Sequence, residues 1–214
     1  MQLNRRDIKS YVLREGRITP GQKRALEDQW PVYGLNVEDG LLNSPFSKSQ
    51  ETVLEIGFGM GDSLFEMATL HPDQNFIGVE VHRPGVGHLL QLAAEAKLNN
   101  LRVYRADSKD VLNQCIHDRS LDKIQIFFPD PWHKKKHNKR RLINDDFVNL
   151  LAKKLKQGGI LHIATDWAPY AEVISEVMQD WCVCEIPDRV ETKYERRGLR
   201  LDHEVFDFAF ENKS

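Results

Sequence analysis

The chain has 214 residues, 41% of them hydrophobic and 29% charged, which is ordinary for one globular domain and excludes a disordered tail protein. No apolar run approaches the roughly 20 residues that cross a bilayer, and the start carries cations without an apolar stretch, so neither a membrane span nor a signal peptide is expected. The net charge of −2 conceals an asymmetry. Residues 1–24 hold seven Lys/Arg against Asp7 and Glu15, residues 133–141 hold six with no acid, and the remainder is strongly acidic. Two concentrated basic segments on an acidic body suit a polyanionic partner as well as they suit two solvated loops. The three cysteines, Cys115, Cys182 and Cys184, lack paired spacing, which fits a reducing cytoplasm.

Residues 1–49 lack a strand–helix rhythm and read as a basic N-terminal extension with a helix or two, Thr19-Pro20 being a plausible start. From about residue 50 short apolar runs alternate with amphipathic stretches. Strands are expected at 52–56, 75–81, 101–107, 121–128 and 159–166, and a last, alternating one at 203–211. Helices are expected at 61–70, 85–98, 109–118, 144–157 (stopping at Gly158-Gly159) and 168–181. Cys182 and Cys184 read as part of a buried strand. This order predicts an α/β domain over 50–214: a Rossmann-like, mostly parallel open sheet with helices on both faces and a last antiparallel strand. Such sheets bind ligands beyond the carboxyl ends of their strands.

The first strand runs into Glu55-Ile-Gly57-Phe-Gly59-Met-Gly61. Alternate glycines allow a tight turn and a close approach of backbone to ligand. The spacing is not the G-x-G-x-x-G of dinucleotide enzymes, and an acid two residues before the first glycine would repel a pyrophosphate while suiting a cationic amine. That counts against a nicotinamide-dependent oxidoreductase. The second strand ends at Glu80, placed to accept from ribose hydroxyls, and the third at Asp107, placed to accept from an adenine amino group. Each acid alone is more often a solvated strand end. Three at successive strand ends, beside the glycine turn, describe a site for S-adenosylmethionine.

The fourth strand ends in Phe127-Phe128-Pro129-Asp130-Pro131-Trp132, two prolines holding one carboxylate next to an indole. His133 to Arg141 follows, a loop suited to phosphates. His133 and His137 are four apart, but their cationic neighbours argue against a metal. Trp132 and Tyr194 are candidates to stack on a base, or simply to pack.

These segments resemble the bacterial tRNA (guanine-N7)-methyltransferase family. The matching stretches are VLEIGFGMG, NFIGVE, FFPDPWHKKKHNKRR, IATDW and TKYERRG, with YVLREGRITPGQKRAL ahead of them, covering about residues 11–211. The resemblance implies methyl transfer from S-adenosylmethionine to N7 of the guanine at position 46 in the tRNA variable loop. It implies cofactor contacts from Glu55, Gly57, Gly59, Gly61, Glu80, Asp107 and Asp130, with Asp130 catalytic. Lys134, Asp166, Thr192, Lys193, Tyr194 and Glu195 would meet the substrate, and Lys136, His137, Asn138, Lys139, Arg140 and Arg141 the RNA. A methyltransferase acting on another RNA base or on a small molecule is the alternative. A non-catalytic RNA-binding module is disfavoured by the intact acids. Monomer and homodimer both stay open.

Overall fold

The computed structural model describes residues 9–12, 16–43, 45–46, 50–190, 192, 195 and 204–213. A single sheet of eight strands runs through it in the order β1-β4-β3-β2-β5-β6-β8-β7. The strands are β1 (Gly34–Leu35), β2 (Glu51–Ile56), β3 (Gln74–Val79), β4 (Leu101–Tyr104), β5 (Leu121–Phe127), β6 (Leu155–Thr165), β7 (Cys182–Val183) and β8 (Phe206–Glu211). Strands β1 to β6 pair in parallel, and β8 runs antiparallel between β6 and β7. The sheet order reverses at β2, with β3 on one side and β5 on the other. That is the switch point at which such sheets open a ligand crevice.

The helices sort to the two faces by the apolar stripes they carry. On one face α1 (Pro20–Asp28), α3 (Asp62–Leu70) and α4 (Arg83–Glu95) bury Ala25, Leu64 and Leu89 against Val53, Phe76 and Val103. On the other, α5 (Ser108–Gln114), α6 (Asp145–Lys154) and α7 (Ala168–Val177) bury Leu112, Phe147 and Ile174 against Leu54, Ile126 and Ile163. The short α2 (Trp30–Tyr33) leads into β1. No helix among the described residues is long and apolar enough to cross a membrane.

Helix starts follow the local chemistry. Thr19 caps α1 in a full capping box with Gln22, with Pro20 in the first turn. Asn144 caps α6, whose first turn holds Asp145 and Asp146 and whose last holds Lys153 and Lys154, complementing the helix dipole at both ends.

Three expectations need correction. The sixth helix stops at Lys154, short of the expected 157, and β6 begins at Leu155. Gly158, with φ +78, serves an excursion within the strand, whose register jumps from Leu121↔Leu155 to Lys123↔Ile160. The helix ends where Leu155 turns extended (ψ 141) to pair with Leu121, and the buried Lys154 before it bonds Ile116 O at 2.9 Å and Asp118 at 2.6 Å through its Nζ. Gly34–Leu35 adds an unexpected parallel edge strand beside β4. Cys182 and Cys184 are half-buried rather than buried, with only Cys182 inside the two-residue strand β7.

Candidate active site

A cavity of about 410 Å³ opens beyond the carboxyl ends of β2, β3 and β5. Gly57, Gly59 and Gly61 form one wall and have φ of +79, +60 and +81, which explains their alternation: each turns left-handed, where a Cβ is costly. At Gly61 a Cβ would also lie 2.8 Å from that of Leu89, so the turn packs tightly onto α4.

Glu80 does more than end its strand. One carboxylate oxygen accepts from Gly59 N–H at 2.8 Å, the other from Val81 N–H at 2.7 Å and His82 N–H at 2.9 Å. It fastens the glycine turn to the end of β3, with three of its roughly four acceptor positions used by backbone. Glu55 is 3% exposed, lines the cavity, and has no cation paired to it among the described residues. Burial, and then the charge of Glu80, push its carboxyl up to about 8.

Asp107 departs from expectation. Its neighbours Ala106 and Ser108 line the cavity, but its own side chain is used elsewhere. One oxygen caps α5 by accepting from Lys109 N–H at 3.0 Å, and the other meets Lys9 Nζ at 2.8 Å. The acids that line the cavity are therefore Glu55, Asp62, Glu80 and Asp130.

Asp130 stands exposed on the cavity rim. The turn that carries it is bracketed by two non-glycine residues in left-handed conformation, Phe128 at φ +51 and Trp132 at φ +48. Each costs about 1–2 kcal/mol, so tertiary contacts must hold the turn in place. Phe128 N–H donates to Ala164 O at 2.8 Å, and Arg141 Nε donates to Pro131 O at 2.8 Å. Arg141 was expected on the RNA-contacting surface. It is instead 8% exposed, its guanidinium 4.9 Å from the Tyr170 ring centroid, and it braces the turn from within.

Arg140 is also engaged. Its guanidinium stacks 3.9 Å over Trp132 and donates to Lys9 O and Tyr11 O, both at 2.9 Å, while Trp132 Nε1 donates to Ser10 O at 2.9 Å. Ser10 and Tyr11 form part of the cavity wall, so the N-terminal arm is held across the site by the basic loop. Trp132 is thereby removed as a free stacking surface. Lys134, Lys136, Asn138 and Lys139 are exposed, and His137 is half-buried. Burial first, then the surrounding Lys136, Arg140, Lys134 and Lys139, hold the His137 imidazole below its usual range.

The late T-x-x-E stretch forms a reciprocal pair. Glu195 N–H donates to Thr192 Oγ1 at 3.1 Å, and Thr192 N–H donates to the Glu195 carboxylate at 3.3 Å. Thr192 reaches the cavity, whereas Glu195 is paired with Arg189. Lys193 and Tyr194 lie outside the described residues. Asp166 sits half-buried just past β6 and is not part of the cavity wall.

Sequence reasoning missed Arg189, His162 and Asp207. Arg189 Nε donates to Asp207 at 2.7 Å, His162 Nε2 lies 2.6 Å from the other oxygen of Asp207, and the Arg189 guanidinium lies 5.3 Å from the Phe127 ring centroid. This network ties β6 and β8 to Thr192 and to the base of the Asp130 turn. The one local sign was Asp207 set between two phenylalanines of the last strand.

A family profile described as putative methyltransferase matches residues 49–208. A tRNA (guanine-N(7)-)-methyltransferase of Stutzerimonas stutzeri is 52% identical, over 97% of this chain and 92% of its own length. One from Shewanella baltica is 52% identical over 96% and 92%. Among solved structures, the 16S rRNA methyltransferase KamB aligns with a TM-score of 0.58 at 14% identity, covering 94% of this chain and 97% of its own. A putative methyltransferase from Thermoplasma acidophilum aligns at 0.53 and 18% identity, covering 78% and 70%. The structural likenesses establish the fold, that of the class I methyltransferases. The sequence likeness reaches further, and by it the chain belongs to the tRNA (guanine-N(7)-)-methyltransferase family.

Proposed function

We propose that this chain transfers the methyl group of S-adenosylmethionine to N7 of a guanine in tRNA, at position 46 of the variable loop. The observation that carries the reading is the cavity at the switch point, where Glu55, Glu80, Asp130 and the glycine turn share one wall system.

The residues present fit the methyl donor. The cavity volume lies in the range of small-molecule sites. Glu55, buried with no cation among the described residues, suits an α-ammonium group. Glu80 keeps about one acceptor position for a ribose hydroxyl, and Gly57 leaves open space where a Cβ would stand. Bound there, the donor supplies a methyl group activated on a sulfonium.

Guanine N7 carries an in-plane lone pair, so no base need remove a proton before attack. What the chain must supply is alignment and charge. As positive charge develops on the purine, the fixed carboxylate of Asp130 stabilises it, and the same carboxylate can accept from the guanine N1–H or amino group. Thr192 borders the same space. Exposed Lys134, Lys136 and Lys139 attract phosphates and position the RNA without reading its sequence. The basic extension over 1–49 works with the domain over 50–214 by contributing Ser10 and Tyr11 to the cavity wall.

The test is to incubate the protein with unmodified tRNA and labelled S-adenosylmethionine and to map the modified nucleoside. The expected product is 7-methylguanosine at one variable-loop position. Any other product, or methylation of small molecules only, overturns the assignment.

A further inference from the structure

Of the four tryptophans, Trp30, Trp132 and Trp181 are half-buried, while Trp167 is 37% exposed. Trp167 follows β6 and occupies the N-cap of α7, with φ −114 and ψ 101 and no side-chain cap bond. That position favours Ser, Thr, Asp or Asn, whose oxygen satisfies a free helical N–H. An indole accepts nothing there, and losing such a cap costs about 1 kcal/mol. The chain thus places a partly exposed ring where that ring also leaves a helix uncapped.

The ring is nevertheless held. His133 meets it edge-on, with ring centroids 4.4 Å apart and planes at 82°. The Trp167 backbone N–H donates to Thr165 Oγ1 at 3.3 Å, which fixes the chain at the foot of the side chain. His133 lies three residues beyond Asp130, so their Cα atoms are at most about 11 Å apart. Lys134, Lys135 and Lys136 follow directly and are exposed. The indole that the sequence offered first for base stacking, Trp132, is covered by Arg140.

We propose that Trp167, braced by His133, is a stacking platform for a nucleobase of the RNA that flanks the methylated guanine. The inference rests on the tRNA reading above. Stacking accepts any base, because every base has a π-face, and it contributes about 1–3 kcal/mol per base. The lysines bring phosphates to the loop by long-range attraction. The platform then holds the strand splayed, so that the target guanine can reach the rim at Asp130.

The experiment compares wild type, Trp167→Ala and Trp167→Phe for binding of unmodified tRNA across a salt series, for binding of S-adenosylmethionine, and for change in intrinsic fluorescence on adding tRNA. Trp167→Ala is expected to weaken tRNA binding about 5- to 150-fold at every salt concentration, the fold-change equivalent of that stacking energy. The slope against salt should match wild type, because no phosphate contact is lost. Affinity for S-adenosylmethionine should stay the same, and Trp167→Phe should recover most of the tRNA affinity. Added tRNA should quench wild-type fluorescence more than that of Trp167→Phe. Wild-type tRNA affinity in Trp167→Ala, or equal quenching in wild type and Trp167→Phe, overturns the platform. Should Trp167→Ala fail to fold, the quenching comparison decides alone. A wild-type protein that neither binds nor methylates tRNA removes the functional reading itself, whereas methylation that ignores both Trp167 variants removes only the platform.

Discussion

Glu55 offers the sharpest test of the cavity. Its carboxyl is pushed up to about 8 by burial and by Glu80, so before a ligand binds about nine-tenths of it is protonated at pH 7. Pairing with an α-ammonium requires the carboxylate. The amine of the ligand, ordinarily near 8, requires the opposite. The competent combination, carboxylate with ammonium, therefore grows about eightfold between pH 6 and pH 7, about threefold more by pH 8, and declines above it. Binding at pH 7 should release about 0.8 proton. Calorimetric titration with S-adenosylmethionine, in buffers of different ionisation enthalpy, measures both the affinity profile and the proton count. Glu55→Gln should lose the rise from pH 6 to 7 and bind more weakly at pH 8. Folding stability depends on pH in the opposite sense. A raised carboxyl contributes stability that is whole below about 4.5 and is lost as pH rises through about 8, at up to about 1.4 kcal/mol per pH unit. Ligand-free Glu55→Gln should therefore melt higher than wild type at pH 8. A flat affinity profile from pH 6 to 8 with no proton release would refute the assignment of Glu55 as the ammonium partner.

Asp130→Ala should reduce methyl transfer by at least 100-fold while tRNA and S-adenosylmethionine still bind, measured by single-turnover kinetics beside equilibrium binding; a rate near wild type removes Asp130 from the chemistry. Glu80→Ala leaves three backbone N–H groups without their acceptor, so thermal unfolding should show a loss of about 2–4 kcal/mol together with weaker cofactor binding, and an unchanged melting temperature would contradict the fastening role. Replacing exposed Lys136 and Lys139 with Ala should shallow the salt dependence of tRNA binding by roughly 0.7–0.9 per charge without lowering the melting temperature. Arg141→Ala should do the reverse, destabilising the fold by about 2–3 kcal/mol because the residue is buried under the Asp130 turn.

Much of this molecule is written in residues that are neighbours in the chain. Strand and helix periods, the Thr19 and Asn144 caps, and the glycine turn after Glu55 are short-range chemistry, so the α/β order and the position of the crevice could be read directly. So could the E-x-G-x-G-x-G spacing, because three alternate left-handed positions admit only glycine cheaply. The Gly158-Gly159 pair misled, since a glycine with positive φ terminates a helix and bends a strand alike.

Tertiary structure alone decided which charges face the site. Asp107 turns to its helix and to Lys9, 98 residues away, and Arg140 binds the carbonyl of Lys9 across 131 residues. Arg141 sinks beneath the turn that Lys134 leaves exposed, although the two stand in one basic run. The pairing of Arg189 with Asp207 and Glu195 depends on β8 lying beside β6. A charged side chain takes its role from whichever partner or solvent it meets after the chain has folded, and no local pattern of residues specifies that partner.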